Sequence, residues 1–239
     1  MRILTFDLET TGWPPEARVV EIGWCEQTVA TFSGDTTCTL EGPYTYLVDP
    51  GIPITPEAAA VHHITDEDVA GSLSFDEALA SVLGQAKPQA ICAHHMNFER
   101  EFVPAHLLEF PWICTYKCAK QAWPDAPSHA LQVLRYWLRL DLNRDKAALA
   151  HRAGPDAYVT GALLRRLLQN YPLETLLEWT KAPERIYRLP FGKHKGELFS
   201  AVPFDYLEWL VFKADEISDD VRIAASAEME RRRKEVGNA

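Results

Sequence analysis

The order of the apolar segments constrains the fold of this 239-residue chain more than any other feature of its sequence. Short apolar runs, rich in β-branched and aromatic residues and separated by proline and glycine, predict strands over 2–7, 19–25 and 44–48. Two more predicted strands, over 88–93 and 112–115, alternate with segments of helical spacing. This order favours an α/β fold, with a five-stranded mixed sheet flanked by helices.

The flanking helices are predicted from their first residues and from the spacing of their apolar side chains. Thr55-Pro56 opens a short helix, and Ser74 caps the next one, because such residues are favoured at helix starts. The longer predicted helices cover 75–86, 97–109, 128–140 and 146–169. The last two are strongly amphipathic, so each is expected to bury one face.

The pattern changes after Tyr171-Pro172. A stretch punctuated by proline leads to the sequence PFGKHKG and then to two helical segments, near 205–214 and 219–236. We therefore predict a larger domain over 1–180 and a small C-terminal domain over 181–239, whose length is close to the lower limit for independent folding.

Composition places the chain among ordinary globular proteins. Hydrophobic residues make up 47% and charged residues 24%, which excludes a disordered, collagen-like or disulfide-scaffold protein. No run approaches the roughly 18 apolar residues of a membrane span, and the N-terminus turns acidic at Asp7, too early for a signal peptide. Five cysteines without a C-x-x-C pair indicate reduced thiols. We expect a cytoplasmic protein with no membrane partner.

The distribution of charge is more informative than the net charge of −10. Residues 1–70 carry twelve acidic side chains against two basic ones, and the rest of the chain is balanced. A protein that binds nucleic acid over its whole surface is basic. This chain can still bind a polyanion if its acidic cluster holds divalent cations and local basic patches contact phosphates.

Two acidic patterns are candidates for metal ligands. Asp7 and Glu9 end the first strand, and residues two apart on a strand share one face, so both carboxylates can meet one metal. A solvated strand edge is the alternative interpretation of this pair. His151 and Asp156 form H-x4-D within the predicted helix 146–169, whose apolar surroundings require a partner or a metal for the carboxylate.

A third candidate segment, AHHMNFE, follows the fourth predicted strand directly. By itself it predicts a strand-to-helix turn, in which Asn97 is the N-cap and Glu99 lies in the first turn. The other H-x4-D match, His63 to Asp68, lies in a polar segment and predicts a surface role.

In order and spacing, these segments resemble the motifs of the DEDDh superfamily of 3′→5′ exonucleases. The matching segments are FDLETTG, VHHITDEDV, CAHHMNFEREF and HRAGPDAYVTGALL, and together they span about 170 residues. The resemblance implies a ribonuclease-H-like exonuclease fold and an enzyme that hydrolyses DNA from single- or double-stranded 3′ ends. Its products are 5′-mononucleotides, and its expected role is DNA repair.

The resemblance also implies a ligand set and a base. Asp7, Glu9, Glu99 and Asp156 are expected to hold two Mg²⁺ ions, for which Mn²⁺ substitutes, and His151 is expected to be the general base. Imidazole suits that task near neutral pH.

Three further residues are expected near the terminal nucleotide, namely Thr11, Gly12 and His62. The second motif departs from the family pattern, because Glu99 stands where Asp is usual and His95 where Asn is usual. Two alternatives follow. One is an exonuclease that trims RNA, and the other is a nucleic-acid-binding protein with an impaired catalytic site.

The predicted C-terminal domain opens with a basic segment. Over 181–195 it carries Lys181, Arg185, Arg188, Lys193 and Lys195 against Glu184 alone, with aromatic residues interleaved. Such a segment is typical of a surface that tracks phosphates or stacks a base, and a structural turn is the alternative. The run Arg231 to Lys234 ends a predicted helix, where positive charge is stabilised by the helix dipole.

Overall fold

A computed structural model of the chain describes residues 1–32, 35–182, 186–214 and 217–237. They form two compact units, Met1–Lys181 and Ala182–Ala239.

The first unit is built on a mixed sheet. Its strands are β1 (Arg2–Thr10), β2 (Val19–Phe32), β3 (Asp35–Cys38), β4 (Glu41–Leu47), β5 (Ala90–Ala93) and β6 (Trp112–Cys114). The order is β3-β2-β1-β5-β6, and β4 also pairs with β2. β1 and β2 are antiparallel, whereas β5 is parallel to both β1 and β6. The predicted class, a mixed sheet flanked by helices, is confirmed.

The predicted count of five strands is wrong, because the described residues contain six. β2 is 14 residues long, and the edge that faces away from β1 pairs with two different strands. Its first half pairs with β4, and Val29 to Phe32 pair with β3. The sequence missed β3 because its four residues, DTTC, carry no apolar alternation, and the pairing depends on backbone hydrogen bonds to β2.

Nine helices surround the sheet in the described part of this unit. They are α1 (Pro56–His62), α2 (Asp66–Val69), α3 (Phe75–Ala86), α4 (Met96–Arg100), α5 (Ala105–Leu108), α6 (Thr115–Ala122), α7 (Leu131–Trp137), α8 (Ala153–Leu168) and α9 (Leu173–Lys181). The side chain of Thr55 caps α1, and Ser74 forms a capping box with Glu77 at the start of α3.

Two helix predictions are corrected by the structure. The helix predicted over 97–109 is split into α4 and α5, because Pro104 cannot continue the first one, and its N-cap is His95 rather than Asn97. The helix predicted over 146–169 begins only at Ala153, so His151 precedes it.

The two faces of β1 contact different layers. Leu4, Phe6 and Leu8 point into a core that includes α3, whereas Ile3 belongs to a second core that includes α8. Because side chains alternate along a strand, Asp7 and Glu9 share the face of Ile3. The hydroxyl of Thr5 on this face donates to Gln27, which in turn donates to the carbonyl of Gly161 on α8 at 3.0 Å.

The second unit has a core of its own. It contains an antiparallel bridge between Arg188 and Leu198, followed by α10 (Phe204–Phe212) and α11 (Asp219–Gly237). Its buried residues are Leu189, Phe199, Val202, Leu207, Leu210, Val221, Ala225 and Met229. All five cysteines of the chain lie in the first unit and are unpaired. Among the described helices, none has the length and apolarity required to cross a membrane.

Candidate active site

Three of the predicted carboxylates meet at the end of β1. Asp7 and Glu9 come from the strand and Asp156 from the first turn of α8, and one oxygen of each lies within 4.8 Å of the other two. Asp7 and Glu9 are half-buried, and Asp156 is buried. The strand periodicity and the apolar setting of Asp156 therefore identified groups that the fold brings together.

The start of α8 is fixed to the sheet by Glu21, which pairs with Glu9 across β1 and β2. The Glu21 carboxylate accepts a 2.7 Å hydrogen bond from the backbone N–H of Ala153 and forms an ion pair with Arg152 at 2.5 Å. Glu21 is only 1% exposed, so its charge is stabilised by these contacts and by the N-terminal end of the helix.

Two glycines allow α8 to pack closely against the sheet. A Cβ on Gly23, which faces Asp7 across the sheet, would lie 2.0 Å from the carbonyl carbon of Ala153. A Cβ on Gly154 would lie 2.3 Å from the hydroxyl of Thr45. Because both positions lack a side chain, Asp156 comes within reach of β1.

His151 lies two residues before α8 in the left-handed backbone conformation, with φ 59°. Its backbone N–H donates to Oδ2 of Asp156 at 2.8 Å, and its side chain is exposed. The other oxygen of Asp156 accepts from Gln132 on α7 at 2.5 Å, and Arg135 in turn donates to Gln132. Each carboxylate oxygen of Asp156 is thus oriented by its own hydrogen bond, one from His151 and one from Gln132.

The electrostatics of the cluster disfavour three free negative charges. Burial, followed by repulsion from Asp156 and Glu9, raises the pKa of Asp7 well above its usual range. Burial and repulsion from Asp156 raise the pKa of Glu9 to about 8. Burial raises the pKa of Asp156 as well, against the hydrogen bonds from His151 and Gln132. A bound divalent cation would remove this repulsion.

Glu99 occupies a different position from the other three carboxylates. It lies on α4, is 3% exposed and is not part of the group whose oxygens lie within 4.8 Å of one another. Its Oε2 is buried without a hydrogen-bond partner among the described residues, and burial raises its pKa to about 8. Its negative charge also raises the pKa of Asp7, so the two carboxylates are close enough to interact.

The segment after Glu9 forms a sharp turn beside the carboxylates. Thr11 is buried; its backbone N–H donates to the carbonyl of Arg18, and its hydroxyl accepts the backbone N–H of Arg18. The hydroxyl of Thr10 donates to the carbonyl of Gly12 at 2.7 Å. Gly12 has φ 153°, and a Cβ there would contact nothing within 4 Å. Open space therefore lies next to the backbone of Gly12, and the hydrogen bonds within the turn hold that backbone in place.

His62 ends α1 and is only 1% exposed. Its Nδ1 accepts the backbone N–H of Ile64 at 3.0 Å, while its Nε2 has no partner that meets hydrogen-bond criteria in the described chain. Burial lowers the pKa of His62, and the Thr10 backbone partly opposes this shift. Burial therefore favours the neutral ring, and because Nδ1 accepts from Ile64, the proton of that neutral ring is on Nε2.

An aromatic pair that the sequence motifs did not indicate lies next to this turn. Trp13 is 81% exposed, and its ring meets Phe98 edge-to-face with centroids 5.4 Å apart. Phe98 directly precedes Glu99, so the pair joins the first and second motifs. An aromatic residue immediately after ETTG was the signal available in the sequence.

Comparison with known proteins defines the class of this site. The Exonuclease family model, RNase_T, matches residues 4–164, and the chain belongs to this exonuclease family. The family resemblance stated from the sequence motifs is thereby confirmed at the level of the exonuclease family.

Individual relatives agree with this assignment. Exodeoxyribonuclease 10 of Escherichia coli (strain K12) is 30% identical over 188 residues, which cover 76% of this chain and 82% of that protein. DNA polymerase III subunit epsilon of Treponema pallidum (strain Nichols) is 28% identical over 174 residues, 70% of this chain and 76% of the relative.

Solved structures show the same fold. Exonuclease X in complex with 5′ overhanging duplex DNA superposes with a TM-score of 0.60 and 29% identity, over 75% of this chain and 98% of that one. The nuclease domain of 3′hExo, described as a DEDDh family member bound to rAMP, gives a TM-score of 0.54 at 18% identity, over 71% of this chain and 92% of the other.

Proposed function

We propose that this chain is a divalent-metal-dependent 3′→5′ exonuclease that removes 5′-mononucleotides from DNA 3′ ends and acts in DNA repair in the cytoplasm. The convergence of Asp7, Glu9 and Asp156 in an exonuclease-family fold carries the proposal. DNA is the proposed substrate because the relatives with 29% and 30% identity are named for deoxyribonuclease activity or are bound to duplex DNA.

The residues of the cluster fit a hard divalent cation. All of the candidate ligands are carboxylates, which Mg²⁺ prefers and Mn²⁺ also accepts. The buried Oε2 of Glu99 lacks a hydrogen-bond partner among the described residues, which suits a fourth ligand beside Asp7. We therefore propose that Asp7, Glu9, Glu99 and Asp156 hold two Mg²⁺ ions. Bound there, the cations would stabilise the negative charge that develops during phosphodiester hydrolysis.

His151 is the proposed general base. Its backbone N–H donates to Asp156 at 2.8 Å, so the segment that carries the imidazole is held next to the carboxylate cluster. The side chain is exposed, so it can take a proton from the attacking water and pass it to solvent.

The terminal nucleotide is proposed to lie over the Thr11–Gly12 turn. The open space at Gly12 admits a sugar or base close to the backbone, and the unpartnered Nε2 of His62 offers a donor on the Thr10 side. The exposed ring of Trp13 provides a surface on which a base can stack.

A polarity assay tests the proposal. Single-stranded DNA and RNA of identical sequence, each labelled at the 5′ end, are incubated with the protein in Mg²⁺ or in EDTA. We expect a ladder of DNA shortened from the 3′ end in Mg²⁺ alone, with 5′-mononucleotides released, and slower loss of RNA. Faster loss of RNA would favour the trimming exoribonuclease, and binding without cleavage would favour the impaired site.

A further inference from the structure

One loop of the second unit, residues 191–196, is held in a defined shape. Gly192 and Gly196 have φ of 75° and 85°, in the left-handed region that favours glycine. The N–H of Gly196 donates to the carbonyl of Leu189 at 2.7 Å, and the guanidinium of Arg188 donates to the carbonyl of Gly196 at 3.0 Å. Arg188, one of the basic residues predicted to contact phosphates, therefore holds the loop.

Lys193 and Lys195 project from this loop and are exposed. Within the described ranges, no carboxylate forms an ion pair with either ammonium group. The only acidic side chain described on the loop's flank, Glu197, is hydrogen bonded to Nδ1 of His194 at 3.1 Å. Two unneutralised positive charges thus stand two residues apart on a loop whose backbone is already ordered.

Aromatic rings continue this surface onto α10. His194 lies between the two lysines in the sequence, and its ring meets Tyr206 edge-to-face with ring centroids 4.8 Å apart. The ring centroids of Tyr206 and Trp209 are 5.3 Å apart. The hydroxyl of Tyr206 lies 2.5 Å from the position that a Cβ of Gly192 would take, so the loop and helix fit closely. Trp209 remains 41% exposed. We call Lys193, His194, Lys195, Tyr206 and Trp209 the basic–aromatic surface.

The densest basic run of the chain differs from this surface. On α11, carboxylates pair with every member of Arg231 to Lys234. Arg231 and Arg232 both contact Glu228 at 2.7 Å, and Lys234 contacts Glu230 at 2.7 Å. The positive charges of this run are therefore paired with acidic side chains in addition to lying near the end of α11. Arg185, predicted with the first basic segment, lies outside the described residues.

We propose that the basic–aromatic surface binds single-stranded nucleic acid, with Lys193 and Lys195 on phosphates and Trp209 stacked on a base. Exposed cations beside an exposed aromatic ring match the alternation of phosphate and base in a single strand, and base–aromatic stacking tolerates any sequence. Because the loop is ordered before binding, little conformational entropy is lost. The proposal rests on the proposed function, to which it adds a second contact with the same substrate.

Equilibrium binding in EDTA, where the proposed nuclease is inactive, tests the surface. The full chain is titrated with a fluorescein-labelled single-stranded oligothymidylate at several salt concentrations. In the variant carrying Lys193→Gln and Lys195→Gln, the slope of log K against log salt should fall by about 1.4, since each phosphate contact on a single strand contributes about 0.7. The control, Arg233→Gln with Lys234→Gln, removes the same charge from paired residues and should leave the slope unchanged.

Trp209→Ala should weaken binding roughly 5- to 100-fold with little change in slope, because it removes stacking and no charge. Ile223→Ala, an exposed apolar residue of α11, is its control. Thermal unfolding of each variant shows that the second unit is folded. An unchanged slope in the lysine variant, or a loss in Trp209→Ala no larger than in Ile223→Ala, would overturn the proposal.

Hydrolysis of a dinucleotide in Mg²⁺ separates this proposal from the proposed function. A dinucleotide occupies the carboxylate site alone, so all variants of the second unit should cleave it at the wild-type rate. If the variants cleave the dinucleotide at the wild-type rate and their salt slopes of binding are unchanged, only the proposed binding surface is overturned. If no protein cleaves the dinucleotide but the salt slopes differ between variants, only the proposed nuclease activity is overturned.

Discussion

The carboxylate of Glu21 on β2 accepts a 2.7 Å hydrogen bond from the backbone N–H of Ala153, the first residue of α8. Through this contact the sheet that carries Asp7 and Glu9 also positions the helix that carries Asp156. Glu21 faces Glu9 in the strand register, so one β-pair supplies both a candidate metal ligand and the residue that orients its partner helix.

Glu21→Ala should therefore destabilise the protein and impair the site. It leaves a buried N–H unsatisfied and removes the partner of Arg152, and we expect a loss of about 2–4 kcal/mol in the free energy of unfolding. Urea denaturation measures this loss. Asp141→Ala is the control, because Asp141 is fully exposed and lies 3.8 Å from Arg165, so its removal should change stability little. Equal stability of both variants would contradict the role of Glu21.

Gly23→Ala tests the close approach of α8 to the sheet. Its methyl group would meet the backbone of Ala153 at 2.0 Å, so the helix must move and Asp156 with it. We expect a loss of about 1–3 kcal/mol in unfolding free energy and a reduction in nuclease rate of roughly 10²-fold. Gly84→Ala, on α3 with no atom within 4 Å, should instead be neutral or slightly stabilising. Full activity in Gly23→Ala would show that the approach is not required.

The raised pKa values predict how stability without metal depends on pH. The pKa of Glu9 is about 8 in the folded state against 4.5 for the free group, so the folded state binds the extra proton between these values. Stability therefore falls as pH rises from about 4.5 to about 8. Glu9→Gln, which cannot ionise, should gain stability relative to the wild type across this range in EDTA.

The comparison between variants removes the effect of other titrating groups, such as the buried His94, whose pKa burial lowers to about 3. Mg²⁺ should stabilise the wild type at pH 8 and stabilise Glu9→Gln less. Glu109→Gln, on an exposed residue, is the control. Parallel stability curves for wild type and Glu9→Gln in EDTA would contradict the raised pKa.

Substitutions at Glu99 distinguish a role as metal ligand from a role in stabilising the start of α4. If Glu99 holds a metal ion from its present buried position, the shorter side chain of Glu99→Asp should fall short of the ion and slow hydrolysis by roughly 10²-fold. Glu99→Ala should be slower still and require more Mg²⁺ for half-maximal rate. A Glu99→Ala protein with full activity across a Mg²⁺ titration would leave Glu99 only a role in the first turn of α4.

The sequence predicted most of the site because the relevant signals are local. Asp7 and Glu9 share a face by strand periodicity, and Asp156 stands out as a carboxylate among apolar neighbours. The fold class followed from the order of strands and helices, and the roles that the family resemblance implies for the remaining residues stay predictions.

The features that the sequence did not reveal depend on contacts between distant segments. Glu21 reaches Ala153 across 132 positions, and nothing near Glu21 marks it as a helix cap. The helix containing Asp156 starts later than its periodicity indicated, because its first amide is satisfied by the sheet and His151 takes a left-handed conformation before it. Gln132 is likewise recognisable only once α7 and α8 are packed together.

The rate of hydrolysis of single-stranded DNA as a function of Mg²⁺, compared between the wild type and Asp156→Asn, tests the central claim most directly. The substitution keeps the size of the side chain and removes one charge from the carboxylate cluster. We predict that the wild-type rate rises with Mg²⁺ to saturation and is abolished by EDTA, while Asp156→Asn is slower by about a thousandfold or more and Asp125→Asn, on an exposed residue, is normal. Undiminished Mg²⁺-dependent hydrolysis by Asp156→Asn, or wild-type hydrolysis that persists in EDTA, would contradict the carboxylate site.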